Sequence, residues 1–176
     1  MASGDAEPEA AEAADVPKGR LLRVFAFVAL IVLVDQLTKI WAVEQLSDGP
    51  IGILGSDVEF RLARNPGGAF GRFQGMTPLL AIGATIITIV LVRASQRTTD
   101  KWTLVGLVLV LGGAMGNLAD RIFRAPGFMT GHVVDFVSVG EFPVFNVADS
   151  CITIGSVVLI VQALRAPQPE QSPSPP

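Results

Sequence analysis

Charged side chains are scarce in this sequence: Asp, Glu, Lys and Arg make up 16% of its 176 residues, and half of the chain is hydrophobic. Soluble domains carry about 25% charged residues, so the deficit leans towards a membrane protein. The mean hydropathy of +0.52 leans the same way. Cysteine is nearly absent, and the one thiol, Cys151, excludes an internal disulfide. Histidine is as rare. His132 alone cannot supply the two or three ligands of a zinc peptidase, so no metal site is predicted. It is a lone loop histidine and is assigned no role. The net charge of −3 argues nothing about nucleic acid, because the acidic excess is local: Asp5, Glu7, Glu9, Glu12 and Asp15 all sit at the N-terminus.

The length fits one domain. Residues 1–17 are acidic and lack apolar periodicity, and residues 166–176 are Pro-rich, so both read as disordered tails around a membrane domain over 18–165. Within that domain lie four apolar stretches. The first predicts a helix from about Leu21 to Val43, and the second runs uncharged from Phe73 to Val92. The third is Trp102 to Ala119, and the fourth, Phe142 to Leu164, carries one charge, Asp149. A spanning helix needs roughly 20 mostly apolar residues, so the second and third qualify directly. The first and fourth qualify if Asp35, Lys39 and Asp149 face protein or a water-filled cavity. The first stretch is not a cleaved signal peptide, since no small-residue cleavage site follows it.

The short basic connection RASQRTTDK marks a cytoplasmic loop, and Lys/Arg counts with both termini inside are seven against five. The longer connections, about 44–72 and 122–144, then lie outside. Alternation over Val58–Leu62 reads as a short strand, and Pro66-Gly67-Gly68 as a turn.

Each ionisable group in such helices costs a few kcal/mol and needs an explanation. Asp35 and Lys39 stand i,i+4 with the acid first, the favourable order for an ion pair. Asp120 adjoins Arg121, which can neutralise it, and follows a small-residue face of Gly112, Gly113 and Gly116. Asp135 and Asp149 have no cation within ten residues along the chain. Two carboxylates in apolar surroundings have raised pKa values and, if adjacent, share a proton. One then serves as base towards a water and the other as acid towards a peptide carbonyl. The plain structural alternative for Asp149 is the N-cap of the last helix. Asn65, Asn117 and Asn146 can hold a carboxylate or a peptide without adding charge, or simply join helices.

At these residues the sequence resembles the lipoprotein signal peptidase (signal peptidase II) family, over about residues 20–165. Five blocks occur in the family's order: DQLTK at 35–39, NPGGAFG at 65–71, GGAMGNLADR at 112–121, VVDF at 133–136 and FNVADSCITIG at 145–155. The resemblance implies an all-α membrane protein of four transmembrane helices, with a small extracytoplasmic β-sheet and a short amphipathic outer segment. It implies an aspartic endopeptidase of the bacterial inner membrane with its site near the outer face. Asp135 and Asp149 match the catalytic dyad. Asp35, Lys39, Asn65, Gly67, Asn117, Asp120, Arg121 and Asn146 match positions that support the site or hold substrate, and Asp120 is the rival for the first catalytic place. The implied substrate is a diacylglyceryl-modified prolipoprotein, cut before its lipidated cysteine. The implied partners are that substrate and membrane lipid, with no metal, no organic cofactor and no nucleic acid, and the chain is expected to act as a monomer. Gly68 stands where the family usually has Ala, which predicts a looser outer loop. The short link between Asp135 and Asp149 predicts a trimmed amphipathic segment.

Two other classes fit parts of the pattern. A proton channel or small transporter would spread its carboxylates along a path through the bilayer. A Ser–Lys peptidase would pair Lys39 with Ser138 or Ser150.

Overall fold

The structure, a computed structural model, describes residues 18–54, 57–66 and 77–165. The two predicted tails, Gly67 and Gly68 lie outside these residues. Four helices, α1 (Lys18–Gln45), α2 (Thr77–Arg97), α3 (Lys101–Phe123) and α4 (Val147–Arg165), follow one another around four strands. The strands are β1 (Ile51–Leu54), β2 (Val58–Asn65), β3 (Val133–Val139) and β4 (Phe142–Phe145). All four helices are long and apolar enough to cross a membrane. At 1.5 Å per residue even the shortest, α4, spans about 28 Å, close to the hydrocarbon thickness of roughly 30 Å. Large apolar side chains such as Phe25, Phe27, Leu30, Ile86, Val90 and Ile160 point outwards from them, the inverse of a soluble helix packed by its apolar stripe.

The helix boundaries have local causes. Pro78 in the first turn of α2 gives up an N–H that would be unbonded there anyway. Asp100 caps α3 by accepting the Thr103 N–H at 2.6 Å. Arg20 of α1 donates to the carbonyls of Ser95 and Thr98 and so ties α1 to the end of α2.

Helix α3 is the hub and packs against α1, α2 and α4. Gly112, Gly113 and Gly116 serve two neighbours rather than one face. A Cβ at Gly112 would meet Ile31 of α1 at 2.8 Å, and one at Gly116 would lie 2.6 Å from Asp35 Oδ2. A Cβ at Gly113 would sit 2.4 Å from the Ala148 carbonyl of α4. Only glycine permits these approaches.

The strands form one antiparallel sheet in the order β1-β2-β3-β4. The predicted strand at Val58–Leu62 is present and runs on to Asn65. The connection 122–144 contains β3 and most of β4. One expectation needs correction. The fourth helix does not begin at Phe142, because Phe142–Phe145 pairs with β3 and the helix starts at Val147.

Alternation along β3 sorts its side chains to two sides. Val134 and Phe136 pack against Ala42 and Leu46 of α1. Trp41, Phe60 and Phe136 contact one another edge-on or tilted, with ring centroids 5.2–6.2 Å apart, which pins the sheet to the end of α1. Val133 and Asp135 face the other way, opposite Asn65 and Ala63 of β2. At the far end of the sheet, register aligns Leu54, Val58, Val139 and Phe142 into one apolar row.

Candidate active site

Asp135 and Asp149, distant from any cation in sequence, line one cavity of about 1040 Å³. Asn65, Asn117 and Arg121 line it with them, and Phe142, Phe145 and Ile154 belong to its apolar part. Each aspartate reaches the cavity for a different reason. Asp135 is placed by strand alternation, on the side of β3 away from α1. It is 3% exposed and accepts hydrogen bonds from Asn146 Nδ2 at 2.6 Å and Asn65 Nδ2 at 3.2 Å.

Asp149 is placed by the first turn of α4. Asn146 is the N-cap, and its Oδ1 accepts the Asp149 N–H at 2.9 Å. Asp149 Oδ2 in return accepts the Asn146 N–H at 3.3 Å. This reciprocal pair is a capping box, so the expected alternative is corrected in detail: Asp149 occupies the third position of the turn and not the cap. The helix N-terminus favours negative charge at that place. Asn117 Nδ2 donates to Asp149 Oδ1 at 2.8 Å.

Burial pushes the Asp135 carboxyl up to about 7, and the neighbouring charge of Asp149 adds to the rise. Hydrogen bonds from Asn65 and Asn146 and the charge of Lys39 oppose it without cancelling it. Asp135 can therefore still carry a proton near neutral pH.

The remaining polar residues form a second layer. Asp35, Lys39 and Asp120 are fully buried. Lys39 Nζ lies 2.9 Å from Asp35 Oδ2 and 2.9 Å from Asp120 Oδ2, and donates to Asn117 Oδ1 at 2.9 Å. The predicted Asp35–Lys39 pair is thus present, with a third member that sequence spacing did not reveal. Asp120 does not form its ion pairs with Arg121, because adjacent residues on a helix point apart. Its partners are Lys39 and, one turn on, Arg124 Nε at 2.6 Å. Two acids and two bases balance, as a dry site requires.

Arg121 instead turns to the cavity. It is 6% exposed, within electrostatic reach of Asp135 and Asp149, and among the described residues its Nη1 is a buried donor without a hydrogen-bond partner. Sequence reasoning missed Gln36 and Arg124. Gln36 Nε2 lies 3.1 Å from Asp35, Asp120 and the Gly116 carbonyl. Arg124 follows Asp120 at the same i,i+4 spacing that revealed Lys39. Gly67 lies outside the described residues.

The family model described as signal peptidase (SPase) II matches residues 27–165. A lipoprotein signal peptidase of Rhodococcus jostii (strain RHA1) is 47% identical over 169 residues, which cover 96% of this chain and 83% of that protein. One of Mycolicibacterium smegmatis is 43% identical over 168 residues, covering 92% and 72%. A bacterial membrane enzyme solved by the in meso method at 2.3 Å resolution superposes with a TM-score of 0.74 at 29% identity, over 86% of this chain and 94% of that one. A second, solved at 1.9 Å, gives 0.72 at 28%, over 84% and 96%. The membrane-crossing helices, the buried polar network and these likenesses agree: the chain belongs to the signal peptidase II family of lipoprotein signal peptidases and is a multi-pass bacterial membrane protease.

Proposed function

We propose that the chain is an aspartic endopeptidase that removes the signal peptide from diacylglyceryl-modified prolipoproteins, cutting just before the lipidated cysteine, with Asp135 and Asp149 as its dyad. The observation that carries this reading is the convergence of both carboxylates on one cavity, with Asn146 bonded to each. In this mechanism Asp149 takes a proton from a water whose oxygen attacks the scissile carbonyl carbon. Asp135 gives its proton to the carbonyl oxygen. Collapse of the tetrahedral intermediate breaks the C–N bond, the amine nitrogen leaves with a proton, and one proton remains on the pair. Arg121 Nη1, the unbonded donor at the cavity wall, is suited to hold a substrate carbonyl. Asn65 and Asn146 hold Asp135, Asn117 holds Asp149, and Asp35, Lys39 and Asp120 support them. No step calls for a metal or cofactor.

In this reading both termini are cytoplasmic, and the sheet lies on the outer side with the cavity near that membrane surface. The row Leu54, Val139 and Phe142 is exposed and apolar, which supports a role as the short amphipathic outer segment resting on lipid. A lipid-bearing substrate stays in the bilayer, so its protease must present water and two carboxylates at that depth. The monomer is the proposed working unit.

The Ser–Lys alternative is disfavoured, since Lys39 Nζ is held by Asp35, Asp120 and Asn117, while Ser150 Oγ donates to the Asn146 carbonyl. The transporter alternative predicts carboxylates spread along a path, whereas Asp35, Asp120, Asp135 and Asp149 belong to one connected network. The experiment is cleavage of a diacylglyceryl-modified precursor peptide by the purified protein in detergent. Product released before the modified cysteine, unaffected by chelators or serine-directed reagents, supports the reading. Loss of activity in EDTA with recovery in zinc refutes it.

A further inference from the structure

Asp35 and Asp120 do more than neutralise Lys39, because each also holds a backbone amide, and the two amides occupy equivalent places. Asp35 Oδ1 accepts the N–H of Ala148 at 3.0 Å, and Ala148 immediately precedes Asp149. Asp120 Oδ2 accepts the N–H of Val134 at 3.1 Å, and Val134 immediately precedes Asp135. Lys39 Nζ sits 2.9 Å from a carboxylate oxygen of both. A single ammonium therefore ties the start of α4 to the start of β3, the two segments that carry the proposed dyad.

We propose that Lys39, Asp35 and Asp120 form a clamp that sets the spacing between Asp135 and Asp149, making all three positioning residues for the reaction. This rests on the reading of Asp135 and Asp149 as the dyad. Lys39 also fixes the direction of an amide. A lysine has only donors, so Asn117 must turn its Oδ1 towards Lys39 and its Nδ2 towards Asp149. The clamp thus acts on the backbone before each aspartate and, through Asn117, on the Asp149 carboxylate itself.

The stereochemistry requires carboxylates. Asp35 uses one oxygen for Lys39 and the other for Ala148. Asn offers one acceptor, so Asp35→Asn can keep one of these contacts and must aim donors at the other. Asp120 meets Lys39 and Val134 with Oδ2 and meets Gln36 and Arg124 with Oδ1. Asp120→Asn opposes its amide hydrogens to at least one of those donor sets. Either change loosens one arm of the clamp while leaving the dyad's own atoms in place.

The test uses the full chain in detergent with a lipidated precursor peptide. kcat, KM and the pH profile of kcat/KM are measured for Asp35→Asn and Asp120→Asn, with folding followed by gel filtration and thermal transition. The charged groups that set the profile are the two dyad members facing each other, Arg121 of α3 near both, and Lys39 of α1 near Asp135. The separation of the two limbs reports the coupling of the pair, which depends on its spacing. The expected result for folded variants is a kcat lower by on the order of 10- to 100-fold, as for misplacement of about 1 Å. KM stays near its original value and the two limbs draw together. Limbs unmoved, with rate loss that only follows loss of folded protein, would overturn the clamp. So would failure of both variants to fold, since the contacts would then serve assembly alone. Asp135→Asn and Asp149→Asn are run beside them. If both of these keep turnover, the dyad reading itself is wrong, and that outcome is distinct from unmoved limbs in the clamp variants.

Discussion

Asn146 touches both aspartates of the cavity: its Nδ2 donates to Asp135 Oδ1 at 2.6 Å, and its backbone and Oδ1 close the capping box with Asp149. The residue therefore has a structural task and a chemical one, and two substitutions separate them. Asn146→Ala removes both. Losing the cap costs about 1 kcal/mol, and Asp135 loses a buried donor. Asn146→Ser keeps a capping oxygen but has no amide to offer Asp135. The expected outcome is a lower melting temperature in detergent for Asn146→Ala than for Asn146→Ser, with slow precursor cleavage in both. Cleavage at the unsubstituted rate by Asn146→Ser would show that the contact to Asp135 is dispensable.

The raised value at Asp135 gives a pH signature. Its carboxyl is pushed up from 3.8 to about 7, so the folded state binds this proton where the unfolded state has released it. Between those values the folded protein holds more protons, and the contribution to stability falls as pH rises. The Asp135→Asn protein has lost this titration. Melting curves at several pH values between 4 and about 7 should therefore show a shallower decline for the variant than for the unsubstituted protein. If Asp135 is the acid of the reaction, kcat/KM also declines as pH rises through about 7. A rate that climbs through that range would reverse the assignment of acid and base.

How far the sequence reveals this site depends on the kind of contact. Asp35 and Lys39 are legible because helical periodicity makes i,i+4 neighbours certain once the helix is recognised. Arg124 follows the same rule from Asp120, but adjacent Arg121 draws the eye and in fact points into the cavity. The four helices are legible because lipid selects long apolar runs. Strand β3 is not, because both its sides are covered: Val134 and Phe136 by α1, Asp135 by the cavity wall. A strand buried on both faces loses the alternation that would announce it. Phe142–Phe145 merges in sequence with the apolar run of α4, and only pairing with β3 separates the two. Asn117 meets Asn146 and Asp149 across 29 and 32 residues of chain, which no local pattern encodes.

The orientation in the membrane predicts a labelling pattern. Glu141 lies at the exposed turn between β3 and β4, and Thr99 lies in the exposed connection between α2 and α3. Cys151 is the only native thiol and is replaced by alanine first. A membrane-impermeant maleimide applied to intact cells should then label Glu141→Cys and spare Thr99→Cys, and should reach both after lysis. Labelling of residue 99 but not residue 141 in intact cells would invert the topology and place the cavity on the cytoplasmic side.

The choice of dyad is tested by comparing three carboxylates under one assay. Asp135→Asn and Asp149→Asn each keep the shape of a protonated aspartate but cannot exchange a proton with water or substrate. Each should abolish cleavage while leaving the protein folded and able to bind precursor. Because the two act as a unit, the double variant should be no slower than either single one. Removing one of two facing carboxylates also relieves repulsion, so melting temperatures should hold or rise. Asp120→Asn should differ on both counts. Asp120 is fully buried between Lys39 and Arg124, and breaking such a pair typically costs about 3–5 kcal/mol. Its loss should therefore show as a lowered melting temperature, with cleavage reduced and not abolished, since Asp120 spends its oxygens on Lys39, Gln36, Arg124 and the Val134 amide. Precursor processing and thermal stability of all three variants in the same detergent decide the matter. A folded, inactive Asp120→Asn beside an Asp135→Asn that turns over normally would make Asp120 the partner of Asp149.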